Sequence, residues 1–334
     1  MIKEGVLFEE LQNSRVKCHV CSHRCVIAEG RLGICGTRKN IGGKIHTTIY
    51  NTISSEAVDP IEKKPLYHFL PGTLSYSLGS IGCNFRCEHC QNWTISQVTL
   101  EEAYTMQITP EEAVRRALAT GSRSISWTYN EPAIWHEYTH DSAVLAKKAG
   151  LKTVYVTNGY ITPEALRRIA PYLDAYRVDI KSFSEDFYRK TCGARLAPVL
   201  ESTKLAKELG MHVETVTLII PGRNDSKEEL TRIVRWVHDL GVDIPMHFTR
   251  FHPMYKMEDA SSTPLKTLEM AYDIARKEGM RFVYLGNVPG HEHENTHCPG
   301  CSALLIDRTG FRVSSVRIKE GRCPECGEAI PVVI

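Results

Sequence analysis

From about residue 74 to 285, short apolar runs rich in β-branched and aromatic residues alternate with amphipathic stretches that open on helix-start signals. "LSYSLGSIG" reads as a strand, and "TPEEAVRRALAT" as a helix with Thr109 as N-cap, Pro110 in the first helical position and acids in the first turn. "SISWTY" precedes the helical "PAIWHEYTHDSAVLAKKAG", which Gly150 closes; Asn130 is expected to cap it and Pro132 to start it. "KTVYVT" leads into "TPEALRRIAPYL", and "AYRVDI" into helical segments within 183–209. "HVETVTLII", "SKEELTRIVRWVHDLG" with a Ser-x-x-Glu capping box, "IPMHFTRF", "PLKTLEMAYDIARKEG" and "RFVYLG" complete the series. Six or seven β–α repeats favour a parallel sheet, closed or partly closed as a barrel. Periodicity alone does not separate this from an open doubly wound sheet. Either arrangement gathers functional residues at the carboxyl ends of the strands.

The flanks break this rhythm. Residues 1–70 form a Cys- and Gly-rich segment and a connector with short strands ("KIHTTIYNT") and a Pro-flanked turn ("VDPIEKKP"). Residues 71–290 hold the repeats. Residues 291–334 begin with the polar "HEHENTHC", and then "CPGC" and "CPECG" flank two short strands that meet at Thr309-Gly310.

Composition narrows the class. The chain of 334 residues is 42% hydrophobic and 24% charged, enough for one large α/β domain with small appendages. A net charge of +2 gives no broad basic field, so no nucleic-acid partner is expected. No run is apolar enough to span a bilayer, and "MIKEGVLFEEL" carries acids where a secretory signal would be apolar; a cytoplasmic protein is expected. In that compartment twelve cysteines point to metal rather than disulfides.

Eleven of them cluster. Cys298/Cys301 and Cys323/Cys326 have the spacing of paired zinc knuckles, a zinc ribbon. Cys18, Cys21, Cys25 and Cys35 form a closed four-thiolate set, for structural zinc or an auxiliary iron–sulfur cluster, with His19 and His23 as alternative ligands. Cys83, Cys87 and Cys90, in "GCNFRCEHCQNW", number only three. Thiolates select iron–sulfur, zinc or Cu(I), and three of them leave one position open, as a catalytic metal requires. Zinc completed by His89 is the alternative. Cys192 has no partner at metal spacing and reads as a small apolar filler.

Cys-x3-Cys-x2-Cys immediately after the first strand of a β/α array resembles the signature of the radical SAM superfamily. The words "CHVCSHRCVIAEGRLGICGTR", "TYNEP", "VTNGY", "VDIKSF" and "IIPGRND" extend the resemblance over residues 18 to about 225. They resemble the pyruvate formate-lyase activating enzyme-like branch, and within it the AmmeMemoRadiSam system enzymes. The resemblance implies a partial (β/α)6 TIM-type barrel between the Cys-rich segment and the zinc ribbon. It also implies a [4Fe–4S] cluster on Cys83, Cys87 and Cys90, with S-adenosylmethionine (SAM) chelating the iron that lacks a cysteine. Reductive cleavage of SAM would give a 5′-deoxyadenosyl radical that abstracts hydrogen from a small-molecule or protein substrate.

Carried over by position, Asn130, Glu131, Asn158, Asp179 and Lys181 are the expected SAM contacts. Relatives have Gly-Gly-Glu where this chain has Tyr129-Asn130-Glu131, which puts a backbone contact of the glycines in question. The alternative for Asp179 and Lys181 is a salt bridge inside the barrel. Glu214, Thr217, His247, Arg250 and His252 are weaker candidates. The resemblance further implies a reductant such as ferredoxin or flavodoxin, a possible glycyl-radical enzyme substrate, and association with AMMECR- and Memo-type proteins. An iron–sulfur electron-transfer protein and a zinc-rich binding module are the rival classes. The first has no use for polar strand ends. The second calls for a basic ribbon, and five Lys/Arg stand against four acids from residue 298 on.

Overall fold

The computed structural model describes residues 1–334. Its centre is one eight-stranded sheet: β1 (Ser55–Pro60), β2 (Leu74–Gly79), β3 (Ser124–Trp127), β4 (Lys152–Thr157), β5 (Ala175–Asp179), β6 (His212–Ile219), β7 (Met246–Arg250) and β8 (Val283–Gly286). The strands lie in chain order, with β1 antiparallel to β2 and all later neighbours parallel. Six β/α units and a closing strand β8 thus form an open arc, the partial barrel expected. Edge strand β1 comes from the connector.

Local chemistry starts each helix where the pattern placed it. Thr109 Oγ1 accepts from Glu112 N at 3.2 Å to open α1 (Pro110–Ala119), and Thr162 Oγ1 accepts from Ala165 N at 3.2 Å to open α3 (Pro163–Ile169). Two details differ from expectation. Before α2 (His136–Lys148) the cap is Glu131, which accepts from Ala133 N, because Asn130 is occupied with the loop after β2. Ser226 does cap α5 (Lys227–Leu240), but Glu229 does not complete the box: its carboxylate accepts from Ser182 Oγ and Phe183 N. Helices α4 (Leu196–Glu208) and α6 (Leu265–Lys277) fill the remaining crossovers.

A polar plug closes the amino end of the barrel. The Glu214 carboxylate on β6 accepts from His212 Nε2 (2.8 Å), His247 Nε2 (2.7 Å) and the backbone N–H groups of Tyr67 and His68 (3.0 and 2.8 Å). Burial opposes its charge, but the two imidazoles outweigh that and hold its pKa well below the usual carboxylate range. Glu214 and His247 are therefore structural, and the side chains of Thr217 and Arg250 are hydrogen-bonded to backbone carbonyls of Ile180 and Thr263.

Both flanks pack on the barrel. The ribbon hairpin, β9 (Leu304–Thr309) and β10 (Arg312–Val316), inserts buried Arg308 over the Tyr67 ring, 4.2 Å from its centroid, where it donates to Tyr67 O at 2.7 Å. The amino-terminal segment folds as two small three-stranded sheets, and its buried Arg38 forms a two-pronged pair with Glu137 of α2 at 2.8 and 2.9 Å. No helix is long and apolar enough to cross a membrane.

Candidate functional site

At the carboxyl ends of the strands lies a cavity of about 870 Å³, large enough for more than one small ligand. Cys83, Cys87 and Cys90, together with Asn130, Glu131, Asn158, Asp179 and Lys181, all line it. Residues from three strand ends and one loop are thus brought to a common space, together with Thr249 and His252 from a fourth strand end.

The cysteine loop is built to turn its sulfurs inward. Gly82 opens it at φ 78°, and a Cβ there would stand 2.5 Å from Cys35 O, so only glycine fits. Asn130 clamps the entry, accepting from Ser80 N at 3.1 Å and donating to Gly82 O at 3.0 Å. The sulfurs meet donors: Phe85 N–H reaches Cys83 Sγ at 3.3 Å, and Ser96 Oγ lies 3.1 Å from Cys90 Sγ. Asn158 joins the loop to β4, donating to Asn84 Oδ1 at 2.8 Å with Cys83 Sγ at 3.8 Å.

Burial raises the thiol pKa of Cys83 and of Cys90. Cys87 moves the other way, because the neighbouring Cys192 side chain and the Lys181 cation favour its thiolate. Cys192 is fully buried and lies outside the cavity. Its carbonyl also accepts from Arg86 N at 2.8 Å, which ties the turn Tyr188–Cys192 to the cysteine loop.

Glu131 is 1% exposed and accepts from Ala133 N (2.9 Å), Thr157 Oγ1 (2.7 Å) and Asn158 N (2.8 Å). With no cation against it, burial pushes its pKa up to about 7. Asp179 is held low despite burial by Arg177 (2.5 Å) and Lys181 (3.2 Å). The strand itself ends at Asp179, so Lys181 stands two residues beyond it, facing both Asp179 and Cys87. His89 lines the cavity as a neutral imidazole, lowered to about 3 by burial, and its Nδ1 has no partner.

Tyr129 adopts φ 70°, the left-handed conformation that glycine favours. Two bonds hold it: Tyr129 OH donates to Asp59 at 2.7 Å, and Asn92 Nδ2 donates to Tyr129 O at 2.7 Å. Asp59 also binds Lys64, buried in the cavity wall and lowered by burial to about 8. Lys64, Arg177 and Phe311 of the ribbon hairpin line the cavity without having been singled out from the sequence. The only sequence signal was charge in the Pro-flanked turn, since contacts between distant segments leave no local pattern.

The three cysteine sets differ in size. In the ribbon, Cys298 and Cys326 sulfurs are 3.5 Å apart, Cys301 and Cys323 sulfurs 3.7 Å, and all four lie within 4.8 Å of one another. Zinc–sulfur bonds of about 2.3 Å set tetrahedral sulfur spacings of about 3.8 Å, so the ribbon set fits one zinc. No such gathering exists among Cys83, Cys87, Cys90 and His89, which counts against a zinc completed by that histidine.

A family model described as the radical SAM superfamily matches residues 78–237. An uncharacterized protein of Methanocaldococcus jannaschii is 47% identical over 336 residues, spanning 100% of both chains. A pyruvate formate-lyase-activating enzyme of Staphylococcus epidermidis is 25% identical over 236 residues, 66% of this chain and 92% of that enzyme. Among solved structures, Streptococcus suis SuiB bound to S-adenosylmethionine matches with a TM-score of 0.51 at 14% identity, over 68% of this chain and 53% of that one, a likeness of fold.

Proposed function

From the premise that this chain belongs to the radical SAM superfamily, we propose that Cys83, Cys87 and Cys90 hold its [4Fe–4S] cluster and that the cavity above them binds SAM and a substrate. When bound, the cluster supplies the electron that cleaves SAM to a 5′-deoxyadenosyl radical, which abstracts hydrogen from the substrate. The observation that carries this reading is the convergence of three cysteines with a carboxylate–lysine pair in a single cavity, without the close sulfur gathering of the ribbon.

The chain's own residues do the positioning. Cys192 and Lys181 favour the thiolate of Cys87, the form in which a cysteine binds metal. Asp179 and Lys181 offer opposite charges 3.2 Å apart, suited to the amino and carboxylate groups of a zwitterion. Asn130 and Asn158 already hold the cysteine loop and can present their remaining polar capacity to SAM. Glu131 fixes the ends of β3 and β4 and acts on SAM mainly through Asn158, whose N–H it accepts. Lys64 and His252 line the same cavity, and we assign them to the substrate.

The similarity to pyruvate formate-lyase-activating enzymes supports a second reading, in which the hydrogen comes from a glycyl-radical enzyme. In either case a low-potential donor such as ferredoxin or flavodoxin would supply the electron. A zinc in the ribbon and association with AMMECR- and Memo-type proteins complete the proposal. Anaerobic reconstitution with iron and sulfide, followed by dithionite and SAM, should release 5′-deoxyadenosine, and Cys87→Ala should release none. A single zinc bound at 83–90, or cluster-loaded protein with no spectral response to SAM, overturns the reading.

A further inference from the structure

The amino-terminal cysteines form a second site, separate from the cavity. Cys18, Cys21, Cys25 and Cys35 surround one small apolar void walled by Val20, Ile27 and Ile134. Their sulfurs are not gathered as the ribbon's are: no three of them lie within 4.8 Å of one another. A tetrahedral zinc would draw all four to about 3.8 Å. A cubane, whose irons occupy separate corners, holds its ligand sulfurs much farther apart. The Cys83–Cys90 loop is likewise not gathered within that distance.

Both histidines that could have made a mixed zinc site are engaged elsewhere. His23 Nε2 contacts Asn84 O at 2.7 Å, and His19 Nδ1 contacts Arg24 at 2.7 Å, its other nitrogen lying 3.4 Å from Glu9. Neither ring borders the void.

One of the sulfurs has a hydroxyl donor: Thr37 Oγ1 donates to Cys35 Sγ at 3.3 Å. Arg38, 2% exposed, spends its terminal nitrogens on Glu137 and Val6 O; its Nε has no other partner and its guanidinium lies against Cys18. A buried cation and a hydroxyl donor beside four clustered cysteines suit an anionic metal–thiolate centre. Neutral thiols have no need of them.

We propose that Cys18, Cys21, Cys25 and Cys35 ligate a second, fully cysteine-coordinated iron–sulfur cluster of the cubane class. It abuts the Cys83–Cys90 loop: Gly82 packs on Cys35 O, His23 bonds Asn84 O, and Arg86 donates to Ile34 O. A one-electron centre there touches the loop that carries the open site. The assignment does not depend on what the cavity binds.

Anaerobic reconstitution of the full chain with iron and sulfide should give about eight iron and about one zinc per chain, two cubanes and one ribbon site. Cys83→Ser/Cys87→Ser/Cys90→Ser should keep about four iron, equal sulfide and the visible sulfur-to-iron absorption. Adding Cys21→Ser and Cys35→Ser should abolish that remainder. Zinc-edge absorption of the unmodified protein guards against a variant that misfolds. Two zincs per chain, each with a sulfur shell at about 2.3 Å, overturn the proposal, as does a triple variant devoid of iron. Should the open loop bind nothing, unmodified protein and triple variant carry equal iron, so that failure is told apart from this one.

Discussion

Two buried glutamates mark the two ends of the barrel. Glu214 at the amino end is 0% exposed and Glu131 at the carboxyl end 1%, so solvent does not distinguish them. Their partners do. Glu214 meets two imidazoles and two backbone amides, which hold it ionised, whereas Glu131 meets three neutral donors and no cation, and burial raises it to about 7. Equal burial yields opposite shifts, and the saturated carboxylate is the one that holds the fold together.

The sharpest break in that comparison is Glu214→Ala. It leaves two imidazoles and two N–H groups unpaired in the plug, and urea unfolding should show a loss of about 3–5 kcal/mol. An equally large loss in Glu131→Ala would erase the distinction. Next comes pH. Glu131 has a folded pKa above its ordinary 4.5, so the folded state binds the extra proton and stability falls as pH rises from 4.5 through about 7. Between pH 5 and pH 8 the native chain should lose about 2–3 kcal/mol relative to Glu131→Gln. Glu214 slopes the other way. Its folded pKa lies below 4.5, so its contribution is present above that value and is lost as pH falls further. Parallel slopes in the two Gln variants would refute the pairing assigned to each.

Smaller effects probe how the carboxyl end is shaped. Gly82→Ala combines a positive φ with a Cβ placed against Cys35 O, and should cost about 2 kcal/mol in thermal unfolding. An unchanged midpoint would mean that the two loops are not in contact. The least is Tyr129→Phe, which removes the bond to Asp59 and should cost about 1 kcal/mol. Retention of full stability there would show that Asn92 alone holds the left-handed turn.

The β/α order was legible because each crossover helix carries its own start signal, as Thr109-Pro110 and Thr162-Pro163 show. The cysteine loop and the polar strand ends were legible because each falls where a strand finishes. The cap before α2 was misplaced because Asn130 bonds across to Ser80 and Gly82, a tertiary contact that local preference does not encode. Lys64 and Phe311 were invisible for the same reason. One lies in a connector and the other in a hairpin tip, and only packing brings them to the cavity. His247 and Glu214 alternate correctly on their strands, but which layer of the barrel they occupy depends on the connector that presents Tyr67 and His68.

Phe311, 49% exposed, and Gly310 form part of the cavity rim although they come from the last segment of the chain. During synthesis, therefore, every strand of the sheet leaves the ribosome before the rim is complete. Until Arg308 docks over Tyr67, the nascent barrel has an unfinished doorway, and whatever passes through it meets a different threshold from that of the mature molecule.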